Sequence, residues 1–422
     1  MAKLDSNETA MWAMRNNSYA TMIDSGEIYL YEGGIYRKFG AEQIGEIVEK
    51  RTCGDLVTNR FVNEVVGHIG RHTYVTRDAF DADPTIINMD NGLYSTTTGL
   101  SPHTETYRSL HKSPIIYDPD AECPAIDQFI EDVVEPKRRR TIYEIVGYAF
   151  KSHKNMKTAF FFEGEKNSGK SVMLALIGAM VGEEATTYVS PLTVSRSTYG
   201  AAEYFGKQLN IVDDLGNSPI EETGVLKSII SSRRINAQFK YGQPFDYTPS
   251  VLSIFATNEV PQTTLFDEAF ASRFNIIRYP NIFEGSNDDP NLLSKLTTPT
   301  ELSGFFNKCM AALADVIEKE TFTGDSTLAD RVKQFVYSSN PVARFVDERC
   351  VTVDSEDYIT KDTLYRAYVL WARENGTQVV EMASLTKHLK RIGCGIRQIR
   401  NDDGGRSRAY VGVTLRTFFE EL

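Results

Sequence analysis

The sequence predicts an α/β fold, and three observations carry the prediction. The apolar segment Ala159-Phe160-Phe161-Phe162 reads as a buried strand that runs into a glycine-rich loop and then a helix. A second apolar run, Leu209-Asn210-Ile211-Val212, ends in two carboxylates, and a third, from Val251 to Thr257, ends in Asn258.

The loop is Gly164-Glu165-Lys166-Asn167-Ser168-Gly169-Lys170-Ser171, a G-x-x-x-x-G-K-S pattern. Its glycines let backbone N–H groups face a phosphate, and the following helix, read as amphipathic from Val172 to about Val181, adds its dipole. Lys170 is expected to reach the β- and γ-phosphates and Ser171 to hold Mg²⁺. A bare match to this pattern occurs by chance, but one lying between a strand and a helix is much rarer. ATP and Mg²⁺ are therefore the expected ligands.

The acid pair completes an ATPase. Asp213 is expected to bind Mg²⁺, directly or through water, and Asp214 to polarise the attacking water. The alternative is a pair that caps the turn Gly216-Asn217-Ser218-Pro219. Asn258 can touch the γ-phosphate, although an Asn shortly before Pro261 is, taken alone, more often a turn residue. Downstream, Phe270-Ala271-Ser272-Arg273-Phe274 places an arginine just before another apolar strand. That suits a finger reaching the ATP of a neighbouring subunit, with Arg273 the first choice and Arg278 the second; the alternative for either is a surface ion pair.

Between the second and third strands, alternation within Ser231 to Phe245 and the tip Lys240-Tyr241-Gly242 predict a β-hairpin. Lys240 offers a phosphate contact and Tyr241 a stacking face, the two elements of sequence-neutral strand binding.

Composition sets the outer limits. A chain of 422 residues, 41% hydrophobic and 24% charged, is ordinary for a soluble globular protein and should hold two to four domains. The five cysteines are scattered with no C-x-x-C pair, which argues for free thiols and against a zinc site. Without an apolar leader or a membrane-length stretch, the chain reads as cytoplasmic, with no membrane partner. The net charge of −11 argues against coating nucleic acid over the whole surface, yet leaves room for a local basic channel.

The order and spacing of these motifs, with the hairpin ahead of Asn258, resemble the superfamily III helicases of the AAA+ class, and more narrowly the helicase module of poxvirus and phage or plasmid primase-helicases. The segments Asn91-Gly92-Leu93-Tyr94, Tyr117-Asp118-Pro119-Asp120-Ala121-Glu122-Cys123-Pro124 and Glu144-Ile145-Val146-Gly147-Tyr148 are similar to that family's, so the resemblance runs from about residue 85 to the C-terminus. It implies an AAA+ phosphate-loop core and a ring, expected to be a hexamer, with ATP at the subunit interface. Its departures are Arg233, Gln238 and Gly242, where the family often has Gly-Asp, Glu and a basic residue. No primase domain precedes the helicase region, so primer synthesis is not expected of this chain.

The flanks complete the prediction. Residues 1–84 read as a small α+β region, with a hairpin turning at Gly33-Gly34 whose tyrosines are either a stacking face or half-buried packing. Residues 85–140 read as a linker and helical collar that ends in Pro136-Lys137-Arg138-Arg139-Arg140, either a solvated helix start or a DNA contact. The ATPase domain is expected over 141–330. From 335 to 422, helices at 340–348, 361–374 and 384–392 precede a hairpin from 395 to 414 that turns at Asp402-Asp403-Gly404-Gly405, the order of a winged helix. Lys387, Lys390, Arg391, Arg406 and Arg408 make this part basic in an acidic chain, for duplex or junction DNA, unless the wing docks on its own ring. The function expected is ATP-driven unwinding in the replication of a virus, phage, plasmid or mobile element. Its partners would be single-stranded and forked DNA, further copies of the chain, and a separate primase or polymerase. The rival readings are a DNA-translocating or packaging ATPase, and an initiator or loading scaffold that does not unwind.

Overall fold

Apolar strand cores and capped helices dictate most of what the chain builds. In a computed structural model, residues 5–416 are described apart from 39, 53–56, 198, 217, 221, 262–266, 286–288, 326, 354–356, 376, 378 and 401–405. They form a mixed α/β protein in two compact units, Met1–Asn258 with Thr263–Asp325, and Glu259–Gln262 with Ser326–Leu422.

The larger unit begins with helix Ser6–Asn16, whose N-terminus is capped by the Asp5 carboxylate accepting from the Glu8 N–H at 2.9 Å. A four-stranded sheet follows, in the order Ile35–Lys38, Ile28–Glu32, Tyr19–Met22, Tyr74–Val75. Helices Gly40–Thr52 and Asn59–His72 supply apolar partners for it, with Ile44, Val48, Val65 and Ile69 buried beside Ile28 and Leu30. The hairpin does turn at Gly33-Gly34. Its Tyr29 and Tyr36 are buried against Phe80, which makes them packing rather than an open stacking face.

The central sheet holds five parallel strands in the order Phe274–Arg278, Ala159–Glu163, Leu252–Thr257, Leu209–Val212, Thr186–Thr187. Parallel strands are covered on both faces, which explains their unbroken apolar sequences. Helix Lys170–Val181 packs on this sheet and is buried around most of its circumference, leaving Ser171 and Ala175 exposed. The amphipathic reading of that helix is therefore corrected: it is a core helix with one narrow open edge.

The basic run also reads differently in three dimensions. Arg138 is 3% exposed and donates to the Thr323 carbonyl, Arg139 donates to Val134 and Glu131 carbonyls, and Arg140 pairs with Glu144 and Asp315. Arg138 thus ties the start of helix Arg139–Ala149 to a distant segment, Arg139 closes the preceding turn, and Arg140, paired as it is, stays exposed.

In the smaller unit, helices Pro341–Arg349, Lys361–Glu374 and Met382–Arg391 enclose Phe345, Tyr368, Trp371, Leu385 and Leu389. Strands Gly395–Arg400 and Arg406–Val411 pair antiparallel, and Tyr358–Thr360 adds to the latter. Cys350–Thr352 pairs with Val413–Leu415. The turn read at Asp402–Gly405 lies outside the described residues.

Candidate active site

The loop strand delivers its backbone into a tight cradle. Gly164 and Gly169 have no room for a side chain: a Cβ at Gly164 would lie 2.6 Å from the Tyr279 carbonyl oxygen, and one at Gly169 would lie 2.7 Å from Val133 Cγ1. Gly169 also has φ +91°, and Asn167 adopts φ 61°. Within this cradle Lys170 is 8% exposed. Its Nζ donates to the carbonyls of Gly164 and Glu165, both at 2.7 Å, and to Ser168 Oγ at 3.1 Å. Burial pushes the Lys170 ammonium below its ordinary value, while Asp213, Glu165 and Asp214 pull it back up. The lysine thus faces into the loop, surrounded by acceptors, with the carboxylate expected to bind Mg²⁺ and the one expected to polarise water in its field.

Sheet order explains the rest of the site. Leu252–Thr257 lies between the loop strand and Leu209–Val212, so Asn258 emerges between the phosphate loop and Asp213-Asp214. Asn258, Asp213 and Asp214 are exposed at this C-terminal edge. Asp214 takes φ 52°, a left-handed conformation that costs a non-glycine residue about 1–2 kcal/mol. Its N–H donates to Asp213 Oδ1 at 3.0 Å, and the Leu215 N–H to the Ala256 carbonyl at 2.8 Å, which holds the acid pair against the neighbouring strand. Ser171 and Asp213 line one cavity of about 460 Å³, together with Leu174, Glu183, Tyr188 and Ile211. Hard oxygen ligands facing one hollow, beside a lysine cradle that only glycines permit, fit a nucleoside triphosphate with Mg²⁺.

The two arginines separate cleanly. Arg278 pairs with Glu163 at 3.3 Å, directly beside the loop of its own chain. Arg273 lies at the other end of the same strand, beyond the Phe274↔Ala159 pair, about 16 Å of strand from the loop level. Its Nε donates to Ser231 Oγ at 3.0 Å, and its Nη1 to the Ala269 carbonyl.

The expected hairpin is formed by Ile235–Gln238 and Pro244–Tyr247. Tyr241 is 92% exposed at its tip, with Lys240 Nζ 5.2 Å from the ring centroid. Gln238 turns inward, its Nε2 donating to the Gly242 carbonyl at 2.9 Å. In the smaller unit Lys387, Lys390, Arg391, Arg406 and Arg408 are all exposed. Register places Arg406 opposite Arg400, a cross-strand pair of like charges. Lys390 and Arg408 both lower the Lys361 ammonium, after its burial, so these three cations share one locality.

Two contributors escaped sequence reasoning, and a third, Arg233, was read only as a departure from the family pattern. Arg233 lies in the electrostatic field of Arg273, and Lys361 joins the basic cluster. Arg77 reaches the hairpin base, its guanidinium carbon 4.1 Å from the Phe245 ring centroid and 4.5 Å from that of Phe205. Nothing local marks Lys361 or Arg77; their partners come from distant parts of the chain.

Against known families, one match falls in the first third of the chain. Residues 26–135 match the family described as D5 N terminal like. That match begins well before residue 85, where the sequence resemblance was read to start. Residues 162–273, which span the loop, the acid pair, Asn258 and Arg273, match a family of unknown function, DUF5906. Curated proteins provide no match to the sequence. Among solved structures, the apo structure of the NrS-1 C-terminal region (305–718) is similar with a TM-score of 0.56 at 12% identity, covering 98% of this chain and 100% of that one. The A form apo structure of the same region gives a TM-score of 0.55 at 12% identity, over 97% of this chain and 100% of that one. At such identity the likeness is one of fold. No helix among the described residues is long and apolar enough to cross a membrane.

Proposed function

We propose that this protein is an ATP-dependent DNA helicase of superfamily III type, with an AAA+ core and a C-terminal winged helix, that works as a ring during replication of a virus, phage, plasmid or mobile element. The observation that carries the reading is the split of the site. The loop, Asp213-Asp214 and Asn258 gather at one edge of the central sheet, while Arg273 stands at the other, too far to serve its own loop. An arginine so placed suits the nucleotide of a neighbouring copy.

In this reading Lys170 binds the β- and γ-phosphates, Ser171 and Asp213 hold Mg²⁺, Asp214 orients and deprotonates water, and Asn258 contacts the γ-phosphate. Mg²⁺ held there would neutralise phosphate charge. The exposed Tyr241 and Lys240 engage a single strand by stacking and phosphate contact, and the basic wing residues engage duplex at a fork. The test is ATP turnover by wild type and Lys170→Ala, with and without single-stranded DNA, beside unwinding of a forked duplex. Turnover and unwinding that are both lost in the variant are expected. Turnover without unwinding would replace this reading with that of a translocase or loader.

A further inference from the structure

A second arginine stands beside Arg273. Helix Gly224–Ile230 ends in a turn in which the Ser232 N–H donates to the Ile229 carbonyl at 3.0 Å and the Arg233 N–H to the Ser228 carbonyl at 2.9 Å. This is a Schellman arrangement, whose left-handed position is usually glycine. Here Ser232 occupies it at φ 47°, with a buried Oγ that has no partner among the described residues. The turn throws Arg233 into solvent at the foot of the hairpin while Ser231, two residues earlier, receives Arg273 Nε. One turn therefore positions both guanidiniums.

Their surroundings lack a dedicated counter-charge. Arg234, the next residue, is paired with Asp246 at 3.3 Å. Arg233 has no carboxylate within ion-pair distance among the described residues. The acid that Arg273 feels, Asp267, is already engaged by Lys227 at 2.5 Å and Thr223 at 2.7 Å. Burial and then the Arg233 charge hold the Arg273 guanidinium below its ordinary value, the mark of repulsion between neighbours. Two adjacent cations without an anion between them form a site that a polyphosphate would complete.

We propose that Arg233 is a second cation acting with Arg273 on the γ-phosphate of the nucleotide bound by a neighbouring copy. The inference rests on the ring-ATPase reading and adds a residue to it. Arg233 and Arg273 together supply charge at the donor edge, as Lys170 does at the acceptor edge.

The test is subunit complementation. Arg233→Ala is expected to lower kcat about a hundredfold with a much smaller change in KM, the scale for losing one transition-state donor. Arg233→Lys, which keeps the charge but loses the planar fork, is expected to fall between. Mixing inactive Arg233→Ala with inactive Lys170→Ala subunits is expected to restore turnover, because the second supplies Arg233 and the first supplies an intact loop. Arg273→Ala mixed with Lys170→Ala is the control. Normal turnover by Arg233→Ala, beside a dead Arg273→Ala, overturns the proposal and leaves the ring reading standing. An inactive Arg233→Ala that Lys170→Ala cannot rescue, although the control is rescued, also overturns it, because the residue then acts within its own subunit. A wild type that hydrolyses no ATP removes the ring reading itself, and the proposal with it.

Discussion

Arg77 locks onto Phe245: its guanidinium carbon stands 4.1 Å from the ring centroid, while its Nε pairs with Asp24 at 2.6 Å. The Arg77 side chain is only 10% exposed, so the contact between a cation and an aromatic face is largely desolvated. A residue of the N-terminal module thereby fixes the base of the hairpin that carries Lys240 and Tyr241. Arg77→Ala should cost about 2 kcal/mol and speed tryptic cleavage after Lys240, as read by thermal unfolding and timed digestion. An unchanged digestion rate would mean that the hairpin holds itself.

Substituting the second loop glycine tests the cradle. Gly169→Ala places a methyl against Val133 Cγ1 at 2.7 Å in a backbone conformation of φ +91°. The left-handed backbone alone costs about 1–2 kcal/mol. Binding of a fluorescent ATP analogue should be lost while circular dichroism stays close to wild type. Retained binding would show that the loop can re-form around a side chain.

A buried lysine ahead of the loop strand should shape the pH dependence of stability. Lys154 Nζ donates to the carbonyls of Ala149, Lys151 and Ser250 at 3.1, 2.8 and 3.0 Å. Burial, helped by the Lys151 charge, pushes its ammonium down to about 7. The unfolded chain then binds more protons than the folded one between about pH 7 and the ordinary lysine value, so stability should rise with pH across that window. Lys154→Met removes this rise and leaves three carbonyls unpaired, at about 3 kcal/mol or more. Denaturant melts at pH 7 and pH 9 compare the two slopes; equal slopes would exclude a titrating Lys154.

The tyrosines act in the opposite direction at higher pH. Burial pushes Tyr148 up to about 12 and raises Tyr204 and Tyr247 further. Above about pH 10 the unfolded chain loses phenolic protons that the folded chain keeps, so stability should fall there. Absorbance near 295 nm should show tyrosine ionisation coinciding with unfolding. Free titration of these groups in the folded protein would contradict it.

For the basic face of the smaller unit, salt dependence is the discriminating measurement. Lys390→Ala with Arg408→Ala should weaken binding to a forked duplex and reduce the slope of log K against log salt by roughly 2. Fluorescence anisotropy at several salt concentrations gives that slope. An unaltered slope would place this face away from DNA.

Where sequence signals were local, they were legible. The loop strand, its glycines and its Lys-Ser pair could be read because they are contiguous, and the acid pair and Asn258 because each closes an apolar run. The Tyr358–Thr360 and Cys350–Thr352 strands could not, since three residues are too few to show alternation. Arg138 looked like solvent-facing charge until Thr323, from far along the chain, supplied its acceptor. Arg77 was silent for the same reason, since packing partners distant in sequence leave no periodicity to read, while Arg233 stood out only as a departure from the family pattern, with no role attached.

The parallel sheet constrains symmetry. Because Arg273 and the loop following Glu163 sit at opposite ends of paired strands, a contact bringing one copy's arginine to the next copy's loop joins two different surfaces. Made in one direction only, such a heterologous contact repeats into a closed cyclic assembly or an open helix; a two-fold pair would have to make it reciprocally. A two-fold dimer that made it would use both arginines and both loops at once and leave none for a third copy.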